Sequence, residues 1–294
     1  MEAFGTIASA LSVAALFNNC VNCFEYIQLG RHFGRDYERC QLKLDIAKTR
    51  LSRWGQAVAI NEDPRFATDK PQDTSFQQVQ AILEEIEQLF GTLQKASKRY
   101  AIGAKPEDLE VLQTRDMQPV AQRLHNRLNA VVGLRQKQRQ KKTSFLKKTA
   151  WALYDAKNFE KLVEQITGLI DDLETLFPVE DARRTLVEME IEEIKEDEPS
   201  LKVLQSAAED TDSVLSEVVA ERLEACGSQN RTGNIESEGG ARVRIGNEWA
   251  EAALSSPNAV LAGLVHNRAG AVTARGSSAV HIGNSYGGRG VFDN

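Results

Sequence analysis

The sequence predicts a mainly α protein: an N-terminal α-helical bundle followed by a C-terminal segment of two strand-forming repeats. Three observations carry that reading. Apolar residues recur at helical spacing through most of the first 226 positions. Composition then shifts at Cys226: the first 226 residues hold eight of the twenty glycines, and the last 68 hold twelve, with no lysine and six arginines against five acids. Within those last 68 residues a twenty-residue stretch is written twice. The expected domains are therefore 1–226 and 227–294.

The chain opens on an apolar block, Ala3–Phe17, of fifteen residues. It is shorter than the roughly 20 residues that span a bilayer. A secretory signal would carry a basic leader, and here the only early charge is Glu2. The reading is a cytoplasmic chain with an unusually apolar first helix, carrying Phe4, Ile7, Leu11, Val13, Ala14, Leu16 and Phe17. In a resting bundle that helix belongs to the core. Extended through Cys23 it approaches spanning length, because no charge follows Glu2 until Glu25. Small residues at Gly5/Ser9 and Ala10/Ala14 suit helix association in lipid.

A second helix is read in "RDYERCQLKLDIAKTRLSRWG", with Leu42, Ile46, Leu51 and Trp54 near helical spacing and a stop at Gly55. "NEDPRFATDKPQDTS" carries two prolines and is a loop. "SFQQVQAILEEIEQLFGTLQ" resumes the period through Val79, Ile82, Ile86, Phe90 and Leu93. Further helices are expected at 116–133, 142–155, 158–176, 179–195 and 200–225. Strand-like alternation is scarce here, which makes this part a bundle.

The repeats occupy residues 230–249 and 267–286, offset by 37, and share eight identities. Ile235, Val243 and Ile245 in the first copy face Val272, Val280 and Ile282 in the second, and in each copy they share one parity. A period of two means strands with one face buried. Glycines at 233, 239, 246 and their counterparts provide corners. Stacked in parallel about 4.8 Å apart, Asn230 lies over Asn267 and Asn247 over Asn284, so their amides can form ladders. Glu238 lies over Arg275, which removes the like-charge penalty of parallel stacking. Arg244 over His281 is less favourable at low pH. Two coils cannot cover their own upper and lower edges, so the stack is expected to be completed by other copies of the chain. Before association the tail has too few large apolar groups for a core and is expected to be disordered.

Several function classes find no support. The net charge of −6 gives no general attraction to nucleic acid. The basic run "RQKQRQKKTSFLKK" lacks interleaved aromatics; a solvated helix face is the commoner explanation, with attraction to anionic lipid a minority reading. Cys20-x-x-Cys23 has no second pair and no nearby histidine, so no metal site is assigned. No phosphate-binding loop, nucleophile elbow or dinucleotide fingerprint is present. Neither a catalytic residue nor a cofactor is assigned, and the chain is not read as an enzyme.

These features resemble the HET-s/HET-S family of fungal heterokaryon-incompatibility prion proteins across essentially the whole chain. "LFNNCVNCFEYIQLGRHFGRDYERCQLKLDIAKTRLSRWG" and "KKTAWALYD" resemble that family's helical HeLo domain. The repeats resemble its prion-forming domain, which folds into a β-solenoid amyloid. "NSYGGRGVFDN" resembles its closing loop, with Tyr286 and Phe292 as the aromatics. Family members carry further charge pairs between repeats, whereas Gly233/Gly270 and Gly240/Ser277 stand at those places here. The position after "LGR" is proline in the prion variant and histidine in the toxic one; this chain has His32. The resemblance implies a cell-death effector in which tail amyloid releases the first helix into membrane lipid, moving the protein from cytoplasm to membrane. Implied partners are copies of the same chain and a nucleotide-dependent receptor with a similar repeat. The alternative is a non-lytic prion or regulatory adaptor, and toxicity on seeding separates the two.

Overall fold

The structure, a computed structural model, describes residues 11–68, 71, 73–139, 150–194, 197–227, 230–246, 248–249, 267–282 and 285–286. The chain divides into two units, Met1–Val219 and Ala220–Asn294. In chain order the first holds α1 (Val13–Cys23), β1 (Ile27–Leu29), α2 (Tyr37–Ala57), α3 (Thr74–Gly103), α4 (Pro119–Arg139), β2 (Trp151–Leu153), α5 (Ala156–Leu176), α6 (Glu180–Ile194) and α7 (Glu198–Ala208); α8 (Ser213–Gly227) runs across the division. Local chemistry starts the helices. Ser12, Asp73, Asp155 and Asp197 each accept a hydrogen bond from a backbone N–H in the first turn of α1, α3, α5 and α7.

Three expectations need correction. The helix expected over 142–155 does not reach its end: Trp151–Leu153 is a strand, paired in parallel with Ile27–Leu29 in the register Ile27↔Trp151 and Leu29↔Leu153. Residues 140–149 lie outside the described ones. The single helix expected over 200–225 is two, α7 and α8, separated at Glu209–Asp212. The break follows from Asp212, whose side chain accepts from Leu215 N at 3.1 Å and so caps a new helix. The apolar helix read through Phe17 is not continuous across Leu11 and Ser12: α1 starts at Val13, capped by Ser12, and runs on to Cys23, and the part of that reading before Leu11 lies outside the described residues. Among the described residues no helix is long and apolar enough to cross a membrane.

Helix α2 is central, and it is buried all round. Leu42, Ile46, Leu51 and Trp54 are enclosed, but so are Lys43, Asp45, Lys48, Arg50 and Arg53. A charge taken out of water needs a partner, and α2 recruits partners from α4, α5, α6, the turn before α8 and Glu25. Arg53 is fully buried: its Nε and Nη2 donate to Glu190 of α6 at 3.0 and 2.6 Å, and its Nη1 donates to Asp212 at 2.7 Å. Burial opposes its charge, and Asp212 and Glu190 outweigh that, so the guanidinium is held charged. Arg50 donates to Glu174 of α5, to Asp171 and to the Thr211 carbonyl. On another side His125 of α4 meets Asp45 at 2.7 Å, and Lys48 donates to Glu25 at 2.9 Å. Burial lowers the His125 pKa, and the hydrogen bond and charge of Asp45 outweigh it and raise it overall.

Helix α1 docks on α2 through a knob and a notch. Phe17 is fully buried, its ring 6.1 Å from that of Trp54. A Cβ at Gly55 would lie 2.1 Å from the Phe17 Cζ, far inside van der Waals contact, so glycine is what admits this approach. The segment after α2 then returns over α1. Val13 N donates to Thr68 O at 3.3 Å, and Asn18 Nδ2 donates to Asn61 Oδ1 at 2.8 Å. Phe66 anchors that segment against Phe76 and Phe177, with centroids 4.7 and 5.9 Å away.

Two outcomes follow from this packing. Arg53→Met leaves Glu190 and Asp212 buried without their shared cation and should cost about 3–5 kcal/mol. Asp212→Asn keeps the Arg53–Glu190 pair and a capping oxygen, and should cost less than half as much; urea denaturation of the full chain followed by circular dichroism measures both. Gly55→Ala should destabilise the domain by about 1–3 kcal/mol through overpacking. Adding Phe17→Leu should recover part of that loss. Additive losses in the double variant would show that the notch does not act through Phe17.

Candidate functional site

The candidate site is the pair of repeats, because among the described residues each of their strands is paired along one edge only. The first repeat contributes β3 (Asn230–Arg231), β4 (Ile235–Ser237), β5 (Arg242–Ile245) and β6 (Glu248–Trp249). The second contributes β7 (Asn267–Arg268), β8 (Val272–Ala274), β9 (Ala279–Ile282) and β10 (Ser285–Tyr286). Each strand pairs in parallel with its counterpart. The register runs Asn230↔Asn267, Ile235↔Val272, Val243↔Val280, Ile245↔Ile282 and Tyr286↔Trp249. Every pair keeps the 37-residue offset, so the second copy lies over the first as a second coil. The corners match as well: Gly239 and Gly276 take φ of 69° and 70°, a left-handed conformation that turns the chain after β4 and β8.

Backbone bonds join the coils along their length: Ile235 N to Ala271 O at 2.8 Å, Arg275 N to Ser237 O at 2.8 Å, and Ala279 N to Ala241 O at 2.9 Å. On the surface Arg275 Nη1 lies 3.3 Å from Glu238 Oε1. Both side chains are about 70% exposed (72% and 71%), so the pair is screened and contributes little stability, about 0–1 kcal/mol. The apolar stack is uneven. Ile235 is 8% exposed, whereas Val272 and Ile282 are 41% and 39% exposed. Val243, Ile245 and Val280 lie between. Large apolar groups left this open mark a surface that can bury more area.

The geometry adds contacts that the sequence reading passed over. Asn234 Oδ1 accepts from Ala271 N at 3.0 Å, a side-chain rung between the coils. Ser277 Oγ and Ser278 Oγ donate to the carbonyls of Gly239 and Ser237 at 2.9 and 3.0 Å. Gly270 is required by closeness, since a Cβ there would lie 2.6 Å from Asn234 Oδ1 and 3.0 Å from the Gly233 carbonyl carbon. Of the expected asparagine positions, Asn230 and Asn267 face one another in the backbone register, and Asn247 and Asn284 lie outside the described residues. So does Phe292.

In the helical unit, Val13, Leu16 and Phe17 are buried, Ala14 is half-buried, and Leu11 precedes α1 and is 38% exposed. Phe4 and Ile7 lie outside the described residues. His32 sits in a short 3-10 turn, Arg31–Asp36, with Nε2 3.7 Å from Asp108 Oδ1. The neighbouring Arg31 pairs with Glu110, so this turn is held to the segment around 108–111. Cys20, Cys23 and Cys40 are buried thiols. Burial pushes Cys40 up to about 12, which keeps it protonated and unsuited to ligate a metal or attack an electrophile.

Comparison with known proteins places this geometry. The HeLo family, described as prion-inhibition and propagation, matches residues 5–204, and the family described as Het-s 218-289 matches residues 222–287. Heterokaryon incompatibility protein s of Podospora anserina is 51% identical over 293 residues, covering 100% of this chain and 99% of that protein. Heterokaryon incompatibility protein S of strain S of the same fungus matches with the same identity and coverage. A solved HET-S N-terminal domain superposes with a TM-score of 0.71 at 55% identity, covering 74% of this chain and 96% of that one. A doubly substituted HET-s N-terminal domain gives 0.68 at 55% identity, covering 72% and 99%. The chain therefore belongs to the HET-s/HET-S family of heterokaryon-incompatibility prion proteins, with a HeLo domain followed by a HET-s-type repeat segment.

Proposed function

We propose that this chain is a cell-death effector whose tail amyloid drives its helical domain against a membrane. The observation that carries the reading is the parallel pairing of the two repeats at a constant offset, which fills the interior ladder and leaves an edge above and below. A second copy fits either edge, because the same backbone corners and the same alternation of side chains recur. Repetition yields a pile in which the Ile235, Val243, Ile245, Val272, Val280 and Ile282 column is the amyloid core. Asn230 over Asn267 and Asn247 over Asn284 supply amide ladders, and Glu238/Arg275 supplies alternating sign. Tyr286 and Phe292 belong to the closing loop. A nucleotide-dependent receptor bearing a similar repeat would seed such a pile by presenting the first edge.

The working division is a helical domain over 1–226 and a prion-forming segment over 227–294, joined through α8. Coils about 4.8 Å apart leave no room for a whole helical domain beside each molecule. Growth of the pile therefore strains α8 away from the bundle. Asp212 would leave Arg53 as α8 withdraws, and the balance of charge around α2 would be lost. Phe17 would then leave its notch at Gly55 on α2, and the first segment, Phe4–Phe17, would enter lipid. His32 fits the toxic form of the family, as its counterpart does in the resemblance described above.

Two experiments test the two halves. Glu238→Arg puts arginine over arginine throughout the pile and should slow seeded growth of the full-length chain by up to about fivefold. Arg275→Glu should do the same, and the double exchange should restore much of the rate, with the single defects easing in high salt. Equal rates in all four chains would make the pair incidental to register. For the membrane step, Ala14→Lys adds about 2.5–3.5 kcal/mol to insertion of the first segment. It should abolish seeded leakage of dye-loaded liposomes while fibrils still form and resting helicity is unchanged. Leakage at the original rate would remove this segment from the mechanism.

A further inference from the structure

A pile of two-coil chains has two kinds of contact that alternate. Within a chain the second coil lies over the first; between chains the first coil of one molecule lies over the second coil of the molecule below. Facing pairs such as Ile235/Val272 and Val243/Val280 are the same in both, and so is the exposed pair Glu238/Arg275. Side-chain rungs differ, because each has a direction. Asn234 Oδ1 accepts from Ala271 N at 3.0 Å, and Ser277 Oγ and Ser278 Oγ donate to Gly239 O and Ser237 O at 2.9 and 3.0 Å. Carried on by 37 residues, the same three rungs between chains need an acceptor on residue 271 and hydroxyls on residues 240 and 241. Those residues are Ala271, Gly240 and Ala241, and none of their side chains has a polar atom. Steric fit follows the same division. Gly270 makes room for the Asn234 amide, since a Cβ there would lie 2.6 Å from Oδ1, whereas its counterpart Gly233 would meet only the Ala271 methyl at a chain boundary.

We propose that the boundary between chains is the weaker joint of the pile, so that a fibre parts there into pieces made of whole chains, each new end a template. This rests on the self-assembly proposed above. Backbone ladders and the apolar column recur at both contacts, so the three rungs decide which contact is stronger. A single hydrogen bond adds modestly to stability, but all three act on the same side of the comparison. The backbone feels the difference too. Ala271 N has the Asn234 amide as its partner, whereas Asn234 N at a chain boundary has a methyl group opposite it and must turn to water. The chain itself adds a second constraint, because residues 250–266 tie the two coils covalently and a break inside a chain cannot separate the pile unless a coil unfolds. Each parting creates two ends, and ends are where soluble chains convert. A chain that grips itself more firmly than its neighbour therefore joins as a two-coil unit and yields seeds without damage to the coils that template.

The test uses fibres of the full-length chain, verified by sedimentation and electron microscopy. Hydrogen exchange is run on the fibres, quenched, and read residue by residue by NMR after dissolution. Corrected for intrinsic rates, Ala271 N–H should exchange about tenfold or more slowly than Asn234 N–H. Asn234→Ala should remove that difference. Strength of the joint is read from the number of ends produced by a fixed sonication, counted by their seeding of fresh chain. Gly240→Ser/Ala241→Ser supplies the missing hydroxyls at the boundary; a Cβ at Gly240 fits, with Ser277 Oγ nearest at 3.9 Å. Its fibres should yield about threefold fewer ends. Ser277→Gly/Ser278→Ala strips hydroxyls from the contact inside each chain; it should leave the number of ends unchanged while raising the soluble chain left at equilibrium. If the boundary variant does not assemble, Ala271→Asn serves instead: it offers an acceptor to Asn234 N of the next chain, and Gly233 leaves the room for it. Equal protection of the two amides in wild-type fibres overturns the inference, as do end counts that no boundary substitution lowers. A wild-type chain that never forms fibres fails the self-assembly reading first, before any exchange is measured, and this inference falls with it.

Discussion

A parallel β pair satisfies one edge of each strand and leaves the other edge open. In the tail of this chain that constraint recurs on every side of the coil, because all four strand pairs keep the same partners 37 residues apart. The upper coil's Val272 and Ile282 are also left more open than Ile235 below them. Hydrogen bonding and apolar burial therefore ask for the same completion, another coil of the same shape. The exposed Glu238–Arg275 pair adds little energy. Its use is to tell one coil from the other, since a slip that places a repeat over its own kind sets like charges together.

The helical domain faces the opposite problem. Its central helix is buried on all sides yet carries five charged residues within that burial, so stability depends on partners held in place by α4, α5, α6 and the turn before α8. Arg53 shares itself between Glu190 and Asp212, and Asp212 also caps α8. One carboxylate thus belongs both to the innermost charge cluster and to the helix that leads toward the repeats. Such an arrangement is stable while intact and unforgiving when a member leaves, because removing one partner strands a buried charge. The glycine notch under Phe17 gives α1 a similar character: close fit, with no tolerance for an added methyl.

Much of this was legible in the residues. The offset of the repeats and the glycine corners could be read because each strand writes its pairing twice; the inward parity holds in the first copy, whereas in the second Val272 and Ile282 stay open. The long amphipathic helices were legible from their period. The strand Trp151–Leu153 was not, since a three-residue apolar run carries no period and its partner lies more than a hundred residues upstream. The break before α8 had a signal in Thr211–Asp212–Ser213, a capping sequence ahead of an apolar run, that the longer pattern masked. The roles of Arg50 and Arg53 carried no signal in the sequence, because helical spacing does not reveal that α2 is surrounded. Asn234 was passed over because the second copy has Ala271 opposite it; its contact with the backbone needs no matching side chain.

The central claim is that assembly alternates the two repeats, each Ile235 lying between two copies of Val272. A single carbon-13 label in the Ile235 carbonyl, with dipolar recoupling by solid-state NMR on fibres of the full-length chain, tests it directly. Alternation predicts a nearest label-to-label distance of about 9.6 Å, two rungs of about 4.8 Å. A distance of about 4.8 Å would place Ile235 over Ile235, and the paired-repeat stack would be the wrong description of the assembled tail.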